Sequence, residues 1–245
     1  MSTHPTQVVT EIFATRYPDA NVLFLAGSIL RGEGTRFSDL DLVVIFERLP
    51  APYRESFYFK DFPVEAFVHD PETLNYFFSE VDRPSGIPSL AQMVLEGIEI
   101  PQANALSRTL KELAAAVIQL GPPNLSAEEI RKLRYDITNL VDDIREPRSK
   151  AELIGTGAQL YDVLANCYFR TNNLWSAKGK SIPRILHQAD QDLCTRFLKA
   201  FDELFVGGLP DKVISLAEEI LEPSGGFLFE GHRLEAPRHY RKPLG

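Results

Sequence analysis

Two aspartates, Asp39 and Asp41, stand at the entrance to an apolar run from Leu42 to Phe46. Another apolar run, Val22 to Ala26, stops at Gly27-Ser28, with ten residues between Ser28 and Asp39. Each run is short, rich in β-branched or aromatic residues and bounded by Gly or polar positions, which predicts a buried strand. Side chains alternate along a strand, so Asp39 and Asp41 share one face while Leu40 and Leu42 take the other. Two carboxylates side by side repel and are costly to bury. A hard divalent cation relieves that repulsion, and Mg²⁺ prefers carboxylates together with phosphates. Gly27 lets the backbone approach a ligand closely, and Ser28 offers a hydroxyl and an N–H just past a strand end. Phosphate on one side and metal on the other is the chemistry of phosphoryl or nucleotidyl transfer. A solvated turn between two core strands is the plainer alternative. It sits poorly with an Asp between Leu40 and Leu42, because Asp is depleted inside strands.

The pattern apolar-Gly-Ser, ten residues, Asp-apolar-Asp-apolar resembles that of the polymerase-beta-type nucleotidyltransferase superfamily. The wording Gly27-Ser28-Ile29-Leu30-Arg31-Gly32-Glu33-Gly34, then Ser38-Asp39-Leu40-Asp41-Leu42, is similar to small bacterial antibiotic (aminoglycoside- or kanamycin-type) nucleotidyltransferases. The resemblance implies a third carboxylate on a later strand, which Glu65 supplies as the single charge within Phe62–Val68. Taken alone, Glu65 would fit a solvent-facing strand residue. The resemblance further implies that Asp39, Asp41 and Glu65 are catalytic and hold Mg²⁺ in a two-metal arrangement. Gly27 and Ser28 would bind the phosphates of ATP or another nucleoside triphosphate. An acceptor hydroxyl would then attack the α-phosphorus, its proton passing to Glu65 or to a carboxylate of a helical region, and pyrophosphate would leave.

Other residues enter through the same resemblance. A late loop, Trp175 to Lys180, is similar to one whose lysine reaches the triphosphate, which makes Lys178 and Lys180 nucleotide-binding candidates; a solvated basic loop explains them equally well. Asp142, Asp143 and Glu152 are candidates for acceptor binding, with plain helix-surface charges as the competing reading. His69 shares a strand face with Glu65, where a surface histidine is the simpler expectation. Arg31 is near the phosphate turn in sequence, although exposed arginines are the norm.

Composition narrows the class. The chain has 245 residues, 44% hydrophobic and 24% charged, which suits an ordinary globular protein with a proper core. Its net charge of −8 and lack of a basic stripe before the last dozen residues argue against a polynucleotide partner. They favour a small neutral or cationic acceptor. No membrane-length apolar run and no leader pattern are seen, and Cys167 and Cys194 form no disulfide or zinc spacing, so the cytoplasm is the expected place.

The expected architecture is an α+β (α/β) nucleotidyltransferase domain with a small mixed sheet over residues 1–105. A helical bundle that binds substrate and closes over the nucleotide follows over 106–222, and an irregular tail over 223–245. Helices are expected at 5–17, 71–81, 89–96, 106–120, 126–146, 151–175, 182–205 and 212–221, and strands at 21–26, 40–46 and 63–69, with a further strand at 58–62 that ends in a turn at Asp61. A capping box at Ser126 and Glu129 marks one helix start. The resemblance is compatible with a homodimer in which a neighbour's bundle completes the site. Two other readings remain: nucleotidylation of a protein in a toxin–antitoxin pair, and a nucleotide-binding module without turnover.

Overall fold

The computed structural model describes residues 4–35 and 37–242, so Met1 to Thr3, where a leader pattern was sought, lie outside the described residues. The chain divides into two compact units after Pro123.

The first unit begins with α1 (Pro5–Arg16), Pro at its first turn and Val8, Val9 and Ile12 buried. Then come β1 (Val22–Ala26), a single helical turn α2 (Gly27–Leu30), β2 (Leu40–Ile45), β3 (Tyr53–Phe59) and β4 (Phe62–His69). Next is α3 (Pro71–Tyr76), which Asp70 caps by accepting the Thr73 N–H at 2.8 Å, and which runs on as a π-helical turn, Phe77–Asp82. After α4 (Arg83–Ser85), α5 (Ser89–Glu96) and β5 (Ile98–Ile100), the unit ends with α6 (Ala105–Leu120). The sheet order is β3-β4-β2-β1-β5. β2 and β4 run parallel and the other neighbours antiparallel, giving the expected small mixed sheet.

Both faces of this sheet are covered, which is why its central strands are apolar throughout. One face sets Leu23, Leu25, Leu40, Leu42 and Val44 against α1. The other sets Val22, Phe24, Val43 and Ile45 against Leu74, Phe78, Val94 and Leu110. Each of these buried side chains contributes roughly 1.5–3 kcal/mol relative to exposure. Asp41 is two residues before Val43, and Glu65 two before Phe67, so both carboxylates extend the rows of this second face beyond the apolar cluster.

The second unit is helical: α7 (Ala127–Arg145), α8 (Lys150–Thr171), α9 (Ile182–Ala189), α10 (Gln191–Asp202) and α11 (Asp211–Leu221). They share one core that includes Ile137, Leu160, Leu164, Phe197 and Val213. The capping box at α7 forms as expected, with Glu129 N–H on Ser126 Oγ and Ser126 N–H on Glu129 Oε2. The tail is strapped to α7. Arg134 donates to the carbonyls of Gly226 and Gly225, Leu228 N–H to Thr138 Oγ1, and His232 stacks on Tyr135 at 3.8 Å. Among the described residues no helix is long and apolar enough to cross a membrane. Cys167 and Cys194 are buried free thiols.

Four local expectations are corrected. Strand β3 starts at Tyr53, not Tyr58, and reaches β4 through Lys60-Asp61, both with positive φ. The turn expected at Asp61 is present, and only the strand's start differs. β5 is only three residues long, too short for a periodic signal. The helix expected over 182–205 breaks at Asp190, which is extended and caps α10 by accepting the Leu193 N–H at 2.8 Å. Helix α6, expected to open the bundle, belongs to the first unit, where Leu110 and Ala114 join Phe24 and Val94.

His69 is also unlike the surface residue expected. It is 3% exposed, its ring lies edge-on to Phe77 at 4.8 Å, and its Nδ1 is buried without a partner. Burial pushes its pKa down to about 4, against the pull of the Asp70 charge. The unfolded chain therefore takes up a proton near pH 6.5 that the native state refuses until about pH 4. Stability from this group is complete above pH 6.5 and is lost as pH falls toward 4, by roughly 3 kcal/mol over the window. His69→Phe should show a shallower loss of urea-unfolding free energy between pH 7 and pH 4.5; an unchanged slope contradicts this assignment.

Candidate active site

The site is built by strand register. β1 and β2 pair so that Ala26 stands opposite Asp41, and β2 and β4 pair so that Asp41 stands beside Glu65. Neighbouring strands are about 4.8 Å apart, so this register alone places two carboxylates side by side. Asp39 joins them from the residue pair before β2. Its approach is organised by a small turn in which Ser38 N–H donates to the Thr35 carbonyl at 3.0 Å and Thr35 N–H to Ser38 Oγ at 2.9 Å. Asp39, Asp41 and Glu65 each present a carboxylate oxygen, and the three oxygens lie within 4.8 Å of one another. All three residues are part-exposed, so the cluster is open to solvent.

These donors fit a hard cation. Oxygens on opposite sides of an octahedral Mg²⁺ lie about 4.2 Å apart, given Mg–O bonds near 2.1 Å, so a small side-chain adjustment closes the cluster on one ion. A set made only of carboxylates suits Mg²⁺ or Mn²⁺ and offers nothing to a thiophilic metal.

Gly27 is required by this arrangement in two ways. Its φ is +84°, a conformation that side-chain-bearing residues rarely adopt. A Cβ built there would lie 1.9 Å from Asp41 Oδ2 and 2.8 Å from its Cγ. The Asp41 carboxylate therefore lies against the glycine Cα, in the space that any side chain would fill. Ser28, part-buried, follows in α2, and its carbonyl accepts the Glu33 N–H at 3.0 Å, closing the loop after the turn.

The remaining candidates fall elsewhere. His69 is opposite Ile45 at the far end of β4, four residues and roughly 13 Å along the strand from Glu65. Arg31 forms ion pairs with Glu33 at 3.0 Å and Glu96 at 3.6 Å. In the second unit, Lys178 and Lys180 are exposed beside a clamped loop. Asn166 donates to the Ala177 carbonyl and accepts its N–H, both at 3.0 Å, which fixes the backbone just before Lys178. Asp142, Asp143 and Glu152 line one depression between α7 and α8. Two of them have local roles: Asp142 pairs with Arg145, and Glu152 accepts the Arg148 N–H at 3.2 Å. The sequence reading missed Arg54, whose guanidinium forms an ion pair with Glu65. Its signal was hidden because β3 was expected to begin after it.

Residues 8–78, from α1 through β4 to the π-helical turn, match the family model described as the nucleotidyltransferase domain. The first unit thus contains a segment that matches a nucleotidyltransferase domain, and that segment includes Gly27, Ser28, Asp39, Asp41 and Glu65. Among solved structures the chain is similar to a nucleotidyltransferase-like protein from Exiguobacterium sibiricum 255-15. That likeness has 13% identity and a TM-score of 0.41, over 89% of this chain and 74% of that one. No curated protein matches the sequence.

Gly27→Ala should cost about 1–2 kcal/mol from its backbone conformation alone, and should displace Asp41 enough to weaken Mn²⁺ binding at least about tenfold. The double variant Gly27→Ala/Asp41→Ala should recover part of the lost stability, because the contacts with Asp41 Oδ2 and Cγ are removed and only the one with its Cβ, at 3.0 Å, is left. Urea unfolding and Mn²⁺ titration check both; wild-type Mn²⁺ affinity in the single variant contradicts the geometry.

Proposed function

We propose that this protein is a Mg²⁺-dependent nucleotidyltransferase that moves a nucleoside monophosphate from a nucleoside triphosphate, ATP foremost, to a hydroxyl of a small-molecule acceptor, releasing pyrophosphate. The observation that carries the reading is the convergence of Asp39, Asp41 and Glu65 on one point beside the Gly27 turn. Asp39 and Asp41 would hold the ion that accompanies the triphosphate, with Glu65 completing the set. When bound, Mg²⁺ neutralises charge on the triphosphate and polarises the α-phosphoryl group. The Gly27-Ser28 turn takes phosphate oxygens with its N–H groups and hydroxyl. The acceptor oxygen forms a bond to the α-phosphorus as the bond to the bridging oxygen of pyrophosphate breaks. A carboxylate takes the proton of the acceptor hydroxyl. Positioning and charge neutralisation supply the rate, each worth several kcal/mol of barrier.

Lys178 and Lys180 are assigned to the triphosphate in this reading on the likeness of their loop, since a lysine is a mobile point charge suited to phosphate. The acceptor class follows from charge. A net charge of −8 favours a cationic or neutral small molecule over a nucleic acid, and an aminoglycoside-like antibiotic is of that kind. A cytoplasmic site of action accords with two unpaired buried thiols.

Calorimetric titration of ATP and GTP, with and without Mg²⁺, tests the reading on wild type and Asp41→Asn. Mg²⁺-dependent binding in the wild type should be lost in Asp41→Asn at an unchanged melting temperature, and pyrophosphate release should follow the same pattern. Equal binding by both proteins, indifferent to Mg²⁺, contradicts it. A nucleotidyl mass added to a protein rather than to a small molecule would move the acceptor class without touching the site.

A further inference from the structure

The third carboxylate has a resident counter-ion. In the β3–β4 ladder Ser56 stands directly opposite Glu65, and Arg54 opposite Phe67. Alternation puts all four side chains on the same face of the sheet. Ser56 is too short to cover Glu65, whereas Arg54, on the diagonal, has the reach to do so. Its Nη2 pairs with Glu65 Oε1, and its Cζ lies 4.8 Å from the centre of the Phe67 ring. A planar guanidinium held by an aromatic face on one side and a carboxylate on the other is oriented by both. The opposite face of β3 is organised separately, with Glu55 taken by Arg16 and by the Tyr17 hydroxyl at 2.6 Å. Arg54 is thus placed on the face that carries the triad.

This has a consequence for the ion. A divalent cation that draws on Glu65 must displace or share the oxygen that Arg54 holds, and must approach a positive charge to do so. We propose that Arg54 competes with the divalent ion for Glu65, keeping the triad partly neutralised in the free protein and lowering its affinity for metal in the absence of nucleotide. Phe67 is the platform that keeps the guanidinium over the carboxylate. Arg54 acts through Glu65, as a positioning residue. The inference rests on the reading of Asp39, Asp41 and Glu65 as a metal site.

The test is Mn²⁺ binding without nucleotide, followed by calorimetry and by the electron paramagnetic resonance signal of the free ion, on wild type, Arg54→Gln, Arg54→Lys and Asp41→Asn. Removing one positive charge beside the ion should tighten binding roughly three- to tenfold in Arg54→Gln. Arg54→Lys keeps the charge and should stay within about twofold of wild type. The gain should shrink as salt is raised, because the site is part-exposed. A merely structural arginine would give the opposite sign, since loosening β3 would spread the triad and weaken binding. If Arg54→Gln binds Mn²⁺ no more tightly than wild type while Asp41→Asn still loses it, the competition is refuted and the metal site stands. If wild type and Asp41→Asn behave alike, the metal site itself is refuted and the inference falls with it. Arg54 is exposed on an edge strand, and matching melting curves will show that its variants fold.

Discussion

Everything around the site follows from one electrostatic constraint: three carboxylates are held within a few ångströms of one another by strand register. Asp41 and Glu65 are neighbours because β2 and β4 run parallel in that register, and Asp39 joins them from just before β2. Such a cluster opposes folding unless charge of the other sign is supplied. The chain meets this with partial exposure to solvent and with Arg54 on Glu65, and it leaves room for a cation among the oxygens. Apolar packing elsewhere tolerates the strain. β1 and β2 are buried on both faces, and their register is held along five consecutive pairs. A slip of one residue would turn Asp41 to the opposite face and bury it against α1.

The sheet divides its labour along its strands. Toward the β2 and β4 N-termini the second face carries Asp41 and Glu65; further along the same rows it carries Val43, Ile45, Phe67 and the buried His69. One row of side chains is therefore polar and open at one end, apolar and covered at the other. Gly27 sits at the boundary, where β1 ends and Asp41 presses against the turn. Its missing side chain is a packing requirement of the carboxylate as much as a backbone one.

Much of this was legible in the sequence where a short pattern has few structural solutions. Gly-Ser after an apolar run, then Asp-Leu-Asp before another, specifies two adjacent strands and a face, and those are the strands and face observed. Glu65 could be named because it is the single charge in an apolar strand. What escaped the sequence depended on tertiary context. The turn at Asp61 was expected, but Arg54-Glu55-Ser56 breaks any apolar run before Phe57, so the start of β3, and Arg54 with it, was hidden. β5 is too short to carry a period. Asp190 looks like a tolerable helix residue until its side chain is seen capping α10. Helix α6 has the amphipathic pattern of any bundle helix, and only the pairing of Leu110 and Ala114 with the sheet assigns it. His69 reads as polar, yet it is buried with its ring edge-on to Phe77.

A divalent-metal centre made by Asp39, Asp41 and Glu65 at the Gly27 turn is open to direct observation. Anomalous diffraction from crystals grown with Mn²⁺ and a non-hydrolysable ATP analogue tests it most directly. Such a centre gives an anomalous peak about 2.2 Å from carboxylate oxygens of Asp39 and Asp41, with the triphosphate against Gly27-Ser28. Well-ordered nucleotide with no peak among these carboxylates, or a metal bound only elsewhere, would contradict it.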